Sequence, residues 1–257
     1  MTLALPHITN PLLIHQLFES VAIIIGVQFY RLRQPTGSKL LDQRHFPIIL
    51  GALLGAGIGN KLVFWLEMPH LFLQYWNQPA AWFAGQSMVG GLLGGLVGVE
   101  LAKKIASISG STGDGFVYPI LLSLIIGRMG CFLAGLSDGT FGNPTQLPWG
   151  IDFGDGIARH PTQLYEIIFA LFLWLILRKL QLKLPAKQGF LFRIFLITYL
   201  GWRLFIDFLK PLPFDYFWGF SGIQVICLVA LMIYVPLSVR SFLAQRNLNI
   251  GKKNPLY

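Results

Sequence analysis

The sequence predicts an all-α membrane protein, a bundle of seven transmembrane helices with the N-terminus outside and the C-terminus in the cytoplasm. Of its 257 residues, 54% are hydrophobic and only 12% are charged, which is too little charge for the surface of a soluble protein. Seven long apolar stretches run through the chain, each close to the roughly 20 residues that cross a bilayer. Lys and Arg cluster in every second connection between these stretches, as in alternating cytoplasmic loops.

The basic residues fix the predicted orientation of the spans. We place the spans at 12–30, 46–66, 82–102, 116–135, 161–180, 189–209 and 220–240. The connections after the first, third and fifth spans and the tail after the seventh, with the span ends that border them, hold fourteen of the 20 Lys and Arg. The alternate connections hold only Arg159 and Lys210. Because basic loops stay cytoplasmic, residues 1–257 are predicted to form a single seven-span domain with an outward-facing loop at about 136–160.

The net charge of +9 does not indicate a nucleic-acid partner. The excess lies in short cytoplasmic connections, where it sets topology and attracts anionic lipid headgroups. The two cysteines, Cys131 and Cys227, lie inside predicted spans, and their spacing suggests neither a metal site nor a disulfide framework. We therefore expect no metal and no cofactor, with both cysteines as small buried side chains.

Glycines recur through the second and third spans. The second span contains Gly51, Gly55 and Gly59, and the third contains a glycine-rich run that begins at Gly90 and Gly91. Small residues every three or four positions let helices approach closely, so tight helix packing is one interpretation. Close approach of the backbone to a lipid headgroup is the alternative, which we keep for Gly90 and Gly91.

Charged residues inside the spans indicate where the function lies, because an ionisable group in a span is costly. Helix rise places Arg128 about 18 Å and Arg203 about 21 Å above the cytoplasmic ends of their spans, and Glu166 about 8 Å below the outer end of its own. In a core about 30 Å thick, all three lie in the outer half. They form either structural ion pairs, such as Arg203 with Asp207, or a pocket for an anionic headgroup, whose phosphate oxygens suit guanidinium groups. No role is assigned to Lys61 or Arg193.

Two strings are the most specific local patterns. One is Gly127-Arg128-Met129-Gly130 in the fourth span, and the other runs Arg-His-Pro-Thr-Gln-Leu-Tyr-Glu from Arg159 to Glu166. Pro161 fits the first turn of a helix, where its missing N–H costs nothing. His160 lies at the water boundary, either as a group that titrates near neutral pH or as a solvated side chain.

These strings resemble the prolipoprotein diacylglyceryl transferase family. Its Gly-Arg-x-Gly signature is similar to Gly127–Gly130, and its Arg-His-Pro-Ser-Gln-Leu-Tyr-Glu string is similar to Arg159–Glu166. A late Tyr-x-x-x-Arg-x-x-x-Glu-Phe pattern resembles Tyr199 to Phe208, with Asp207 in place of Glu. The resemblance extends from about residue 85 to residue 210. It implies a multi-pass enzyme of the bacterial inner (plasma) membrane.

The activity implied by the resemblance is lipoprotein maturation. An sn-1,2-diacylglyceryl group moves from phosphatidylglycerol, or another anionic phospholipid, to the lipobox cysteine in a prolipoprotein signal peptide. By resemblance and depth, the expected catalytic residues are Arg128, Arg203, Tyr199 and His160. The expected substrate-binding residues are Arg128, Arg203, Gly90, Gly91, Gln163, Glu166 and Asp207.

The chain also departs from the family pattern. Val89 replaces the histidine of a His-Gly-Gly-Leu motif, and Cys131 replaces the Asn that follows Gly-Arg-x-Gly. The tyrosine of a Trp-Tyr-Gly motif is missing near Phe18, and an arginine is missing near Gly57. The proton acceptor is therefore His160, a water linked to an arginine, or absent. The sequence leaves two alternatives open: a catalytically degenerate lipid-binding paralogue, or a transferase that uses the same lipid donor with a different acceptor.

Overall fold

The structure, a computed structural model, describes residues 3–4, 10–33, 45–83, 85–183 and 189–253. Eight α-helices lie within these ranges. They are α1 (Pro11–Arg33), α2 (His45–Glu67), α3 (Pro69–Tyr75), α4 (Met88–Ile105), α5 (Val117–Ala134), α6 (Thr162–Lys183), α7 (Phe190–Ile206) and α8 (Gly222–Lys253). Short 3-10 helices cover Pro79–Phe83, Gly113–Phe116, Gly135–Asp138 and Asp207–Leu209.

The helices support the prediction of an all-α membrane protein. Four helical segments are long and apolar enough to cross a membrane: Pro11–Arg33, Phe46–Glu67, Gly113–Asp138 and Gly222–Leu243. The other long helices, α4, α6 and α7, overlap the remaining predicted spans, although α4 ends at Ile105 and α6 at Lys183, beyond the predicted ends at 102 and 180. The start of the span predicted at 82–102 was placed too early, because α4 begins at Met88. Ser87 caps it by accepting a hydrogen bond from the Gly90 N–H, which satisfies a donor at the helix start.

Three two-residue strands form a small sheet that the sequence did not predict. They are β1 (Leu3–Ala4), β2 (Ile151–Asp152) and β3 (Ala158–Arg159). β1 runs parallel to β2 with Leu3 opposite Ile151, and β2 runs antiparallel to β3 with Ile151 opposite Arg159. One Asp152 carboxylate oxygen accepts the backbone N–H groups of Gly154, Asp155 and Gly156 and so closes the turn between β2 and β3. The loop at 136–160 is therefore partly regular.

Glycine lets α2 and α4 pack backbone against backbone. A Cβ added to Gly55 would overlap the carbonyl of Gly94, and one added to Gly59 would overlap the carbonyl of Gly90. Only a residue without Cβ allows this approach. The helix-packing interpretation is therefore confirmed for these glycines.

The buried core lies around α5 and α7. Leu121, Leu124, Phe195, Leu196 and Leu200 are all at most 3% exposed. By contrast, many large apolar side chains on α1, α2 and α8 point away from the bundle, which suits helices whose outer faces contact lipid. The start of α7 is fixed across the chain, since the Asp114 carboxylate accepts the N–H groups of Gly189 at 2.7 Å and Phe192 at 2.9 Å.

Candidate functional site

The candidate site forms where the C-terminal ends of α5 and α7 meet the N-terminal end of α6. Helix α6 begins at Thr162, directly after Pro161, whose carbonyl accepts the N–H groups of Leu164 and Tyr165. The Thr162 hydroxyl donates to the Thr140 carbonyl at 2.7 Å, which ties the helix start to the preceding loop. One turn along α6, Glu166 points into the bundle and is 1% exposed.

Glu166 is the centre of a buried ion cluster. Its Oε2 lies 2.7 Å from Arg128 Nε, although the N–H is not aligned for a hydrogen bond. Its Oε1 accepts hydrogen bonds from Lys210 Nζ at 2.7 Å and Arg203 Nη1 at 3.0 Å. Three cations from three parts of the chain therefore converge on a single carboxylate. The two arginines that helix rise placed at a similar depth lie together at this point.

The cluster continues through Arg203 to the start of α8. Arg203 Nη2 donates to Asp207 Oδ1 at 3.0 Å, and Asp207 Oδ2 accepts from the Ser221 hydroxyl at 2.7 Å. The Ser221 hydroxyl in turn accepts from the Gln224 N–H at 3.2 Å and so caps α8. Buried charges are tolerated when oppositely charged and hydrogen-bonding partners surround them. The network therefore joins α5, α6, α7 and α8 and holds both guanidinium groups in fixed positions.

Cationic donors of this cluster face a large cavity. The cavity has a volume of about 2140 Å³, and Arg128, Arg203, Asp207 and Lys210 line it. Its other walls are mostly apolar, with side chains such as Leu12, Ile23, Leu53, Leu92 and Leu96 from α1, α2 and α4. Arg128 Nη1 also donates to the sulfur of Cys131 at 3.7 Å. Because sulfur is a weak acceptor, that donor is available to a stronger one such as a phosphate oxygen.

The other residues predicted as catalytic lie apart from the cavity. Tyr199 is 1% exposed, and its hydroxyl has no hydrogen-bond partner among the described residues. His160 belongs to the loop at 136–160. Its Nδ1 lies 3.3 Å from the Tyr165 hydroxyl, which accepts from Trp149 Nε1 at 2.8 Å, and its backbone N–H donates to the Asn143 carbonyl.

The predicted substrate-binding residues divide between the cavity wall and the packed interior. Gly91 lines the cavity beside the α2–α4 contact, whereas Gly90 packs against Gly59 within that contact. Gln163 is fully buried, and neither amide atom forms a hydrogen bond within the described part of the chain. Glu166 and Asp207 hold the two arginines, as described above.

Arg159, the first residue of the second motif, stabilises the loop at 136–160. Its Nη1 donates to Asp155 Oδ1 at 2.6 Å, and this hydrogen bond holds the pKa of the Asp155 carboxyl below its usual range. The guanidinium also lies over the Phe141 ring, with 5.2 Å between its central carbon and the ring centroid. Arg159 therefore contributes to loop geometry, outside the ion cluster.

Sequence analysis missed Lys210 as a site residue, because it was counted only as part of an outer connection. It lies just past the end of the 3-10 helix Asp207–Leu209, where its backbone is extended, so no helical spacing indicated its direction. Lys61, which was assigned no role, donates to the carbonyls of Phe83 at 2.7 Å and Gly85 at 2.5 Å. It therefore fastens the segment before α4 to α2.

Comparison with known proteins identifies relatives over most of the chain. The prolipoprotein diacylglyceryl transferase family profile matches residues 8–240. A phosphatidylglycerol–prolipoprotein diacylglyceryl transferase from Nitrosomonas europaea is 32% identical over 249 residues, which cover 84% of each chain. The protein of the same name from Cupriavidus pinatubonensis is 31% identical and covers 77% of this chain and 81% of its own. That from Methylobacillus flagellatus is 34% identical over 184 residues, or 67% of this chain and 65% of its own.

Proposed function

The chain belongs to the prolipoprotein diacylglyceryl transferase family, and we propose that it transfers an sn-1,2-diacylglyceryl group from phosphatidylglycerol to the lipobox cysteine of prolipoproteins. In this reaction the cysteine sulfur forms a bond to the glyceryl carbon. The bond from that carbon to the phosphate oxygen breaks, and glycerol phosphate leaves with the electron pair. The thiol proton passes to an acceptor. Family membership confirms the resemblance seen in the sequence motifs.

The observation that supports this reaction most directly is the convergence of Arg128 and Arg203 on one wall of an apolar cavity. The leaving phosphate gains negative charge in the transition state, and preorganised cations stabilise such charge strongly. Guanidinium groups bind phosphate oxygens through paired hydrogen bonds. In this proposal Arg128 and Arg203 bind the phosphate, Lys210 adds positive charge, and Glu166 and Asp207 position the arginines. The apolar walls accommodate the acyl chains.

The membrane arrangement is part of the proposal. We infer seven spans, with α1, α2, α4, α5, α6, α7 and α8 crossing the bacterial inner membrane, the N-terminus outside and the C-terminus in the cytoplasm. The alternating positions of Lys and Arg support this orientation. To test it, single cysteines are introduced at position 34 or 143 in a Cys131→Ser/Cys227→Ser background and labelled in intact cells. An impermeant reagent should label position 143 and spare position 34, and the reverse pattern contradicts the topology.

The transfer itself is tested with purified protein, phosphatidylglycerol and a synthetic lipobox peptide. The peptide mass should increase by one diacylglyceryl unit, and a peptide with serine in place of cysteine should not change. Arg128→Lys and Arg203→Lys keep the charge but lose the planar fork. We expect a rate loss of about 10²–10³-fold for each, the usual effect of removing one oxyanion donor. Arg240→Lys, on an exposed part of α8, is the matched control and should transfer normally.

The substitutions Val89 and Cys131 support a second candidate, a lipid-binding paralogue without transferase activity. This candidate predicts phosphatidylglycerol binding that Arg128→Lys weakens, together with an unchanged peptide mass. A third outcome, release of glycerol phosphate without a lipidated lipobox peptide, identifies a transferase with a different acceptor.

A further inference from the structure

A second polar group lies on the same cavity and takes no part in the ion cluster. His15 on α1, Cys131 on α5 and Asp138 in the 3-10 helix after α5 place one nitrogen, one sulfur and one oxygen within 4.8 Å of one another. We call these residues the His15–Cys131–Asp138 group. All three line the cavity, and their nearest link to the ion cluster is the hydrogen bond from Arg128 to the sulfur.

The ligand atoms of this group lie close together. His15 Nδ1 lies 2.9 Å from Asp138 Oδ1, yet this buried nitrogen forms no hydrogen bond. A bound cation would supply the partner that this nitrogen lacks among the described residues. The Cys131 sulfur belongs to the same set.

Further polar side chains surround the group. The other His15 nitrogen, Nε2, lies 3.6 Å from a Glu19 oxygen, and Glu19 accepts a hydrogen bond from Gln86 Nε2 at 3.2 Å. The second oxygen of Asp138 accepts from the Thr140 hydroxyl. A carboxylate on the free nitrogen of a ligating histidine is a recurrent feature of zinc sites, because it fixes the ring orientation and raises the basicity of the ligand.

Close packing holds the two helices that supply these ligands. A Cβ added to Gly130, next to Cys131, would overlap the Phe18 side chain on α1. Further along, the Ser123 hydroxyl donates to the Ala22 carbonyl at 2.8 Å. Sites built on packed helices keep their geometry better than sites on loops, so His15 and Cys131 are held in fixed positions.

We propose that His15, Cys131 and Asp138 bind one Zn²⁺ ion whose fourth position opens into the cavity. Imidazole nitrogen, thiolate sulfur and carboxylate oxygen are the donors that zinc takes in proteins, and three protein ligands with one open position form the reactive type of site. The charges also fit, since a thiolate and a carboxylate neutralise the divalent ion.

The open position suits a second thiolate. This assignment rests on the proposed transferase function, in which a cysteine thiol is the acceptor. Coordination would remove the thiol proton to water and keep the sulfur ready to attack the glyceryl carbon. It also relates two departures from the family pattern, because Val89 removes a histidine while Cys131 supplies a metal ligand in place of Asn.

Metal binding is tested first, without any substrate. The purified full-length protein in detergent is stripped with a chelator and titrated with Co²⁺, which reports a bound thiolate through a near-ultraviolet charge-transfer band. One cobalt per chain should bind, and Zn²⁺ should displace it. His15→Gln, Cys131→Asn and Asp138→Asn should each weaken binding by more than the roughly 10–100-fold that outer-partner changes cost. Cys227→Ser removes the other buried cysteine and should bind normally. Equal metal uptake by Cys131→Asn and wild type overturns the site.

A second measurement keeps the site testable if a ligand variant fails to fold. In Cys227→Ser, Cys131 is the remaining cysteine of the chain, so a maleimide reports on it alone. Zn²⁺ should slow its alkylation in proportion to occupancy, and an unchanged rate overturns the proposal.

The role of the open position is tested separately. Adding the lipobox peptide to the cobalt-loaded protein should strengthen the charge-transfer band as a second thiolate binds, and the serine peptide should not. If the cysteine peptide leaves the charge-transfer band unchanged, the proposed role of the open position in binding the acceptor is wrong, but the metal site itself is not contradicted. Stoichiometric metal binding without peptide lipidation counts against the transferase function alone.

Discussion

Replacing Glu166 with Gln is the most direct test of the ion cluster. Glu166 contacts Arg128 through Oε2 and contacts Arg203 and Lys210 through Oε1. The amide oxygen of Gln can keep the two contacts at the Oε1 position, but its NH₂ then faces Arg128 Nε, donor against donor. One ion pair is therefore lost outright and two are weakened, in a site where Glu166 is 1% exposed.

The expected cost follows from this burial. Breaking a buried ion pair from one side costs about 3–5 kcal/mol, because it leaves an uncompensated charge. We expect Glu166→Gln to lower the free energy of unfolding by this amount, as measured by SDS-induced unfolding in mixed micelles with circular dichroism. The matched control is Glu100→Gln. Glu100 pairs with Lys103 at 2.9 Å, but its side chain is 60% exposed, so the loss should stay below about 1 kcal/mol.

A double variant separates the electrostatic effect from a general loss of packing. Adding Arg128→Met to Glu166→Gln removes the donor that the new NH₂ faces. If the cluster acts as described, part of the lost stability should return, with an interaction energy of about 0.5–3 kcal/mol. A loss for Glu166→Gln of under about 0.5 kcal/mol, the size of an ordinary surface substitution, would refute the argument that the carboxylate holds these cations together.

Three further substitutions test the fold around the site. Gly55→Ala should lower the free energy of unfolding by about 1–3 kcal/mol through overlap with α4. In Gly57→Ala the new Cβ has no described residue outside its own helical turn within 4 Å, so this variant should leave the free energy of unfolding unchanged or raise it by up to about 1 kcal/mol. Asp114→Ala removes the acceptor for two N–H groups at the start of α7. It should lower the free energy of unfolding by about 1–2 kcal/mol, and unchanged hydrogen exchange at these two amides contradicts the role of Asp114 as a helix cap. Lys61→Met loses two hydrogen bonds to backbone carbonyls, so limited proteolysis should cut the segment between α3 and α4 faster than in wild type. An unchanged cutting rate counts against the role of Lys61 in holding this segment to α2.

Much of the fold could be predicted from local sequence properties. Apolar stretches of about 20 residues located most ends of the long helices to within a few residues, because burial in lipid depends on composition along one segment. The predicted end of the last span at residue 240 was too early, since α8 runs to Lys253. The start of α4 was missed, since it depends on a Ser87 cap and on Lys61 reaching the carbonyls of Phe83 and Gly85. The small sheet was missed as well, because two-residue strands have too little periodicity to recognise.

The candidate site was predicted in part. Helix rise along two separate spans was enough to expect that Arg128 and Arg203 lie at a similar depth. Helix rise does not predict how either helix is rotated about its axis. It therefore did not show that Glu166 would lie between the two arginines. Lys210 was missed because its side chain turns back toward α6, a direction that the spacing of charges in a loop does not reveal.

The sequence by itself determined the membrane character, the helix positions and the motifs that identify the family, because each depends on residues that are neighbours along the chain. The tertiary structure alone decided which distant side chains meet. His15 and Cys131 are separated by more than a hundred residues, and no spacing rule joins them, yet the packing of α1 against α5 places both beside Asp138. The same holds for the cations around Glu166. Their contacts depend on how the helices rotate and pack, and that is fixed by the whole bundle, including the glycines that let α2 and α4 touch.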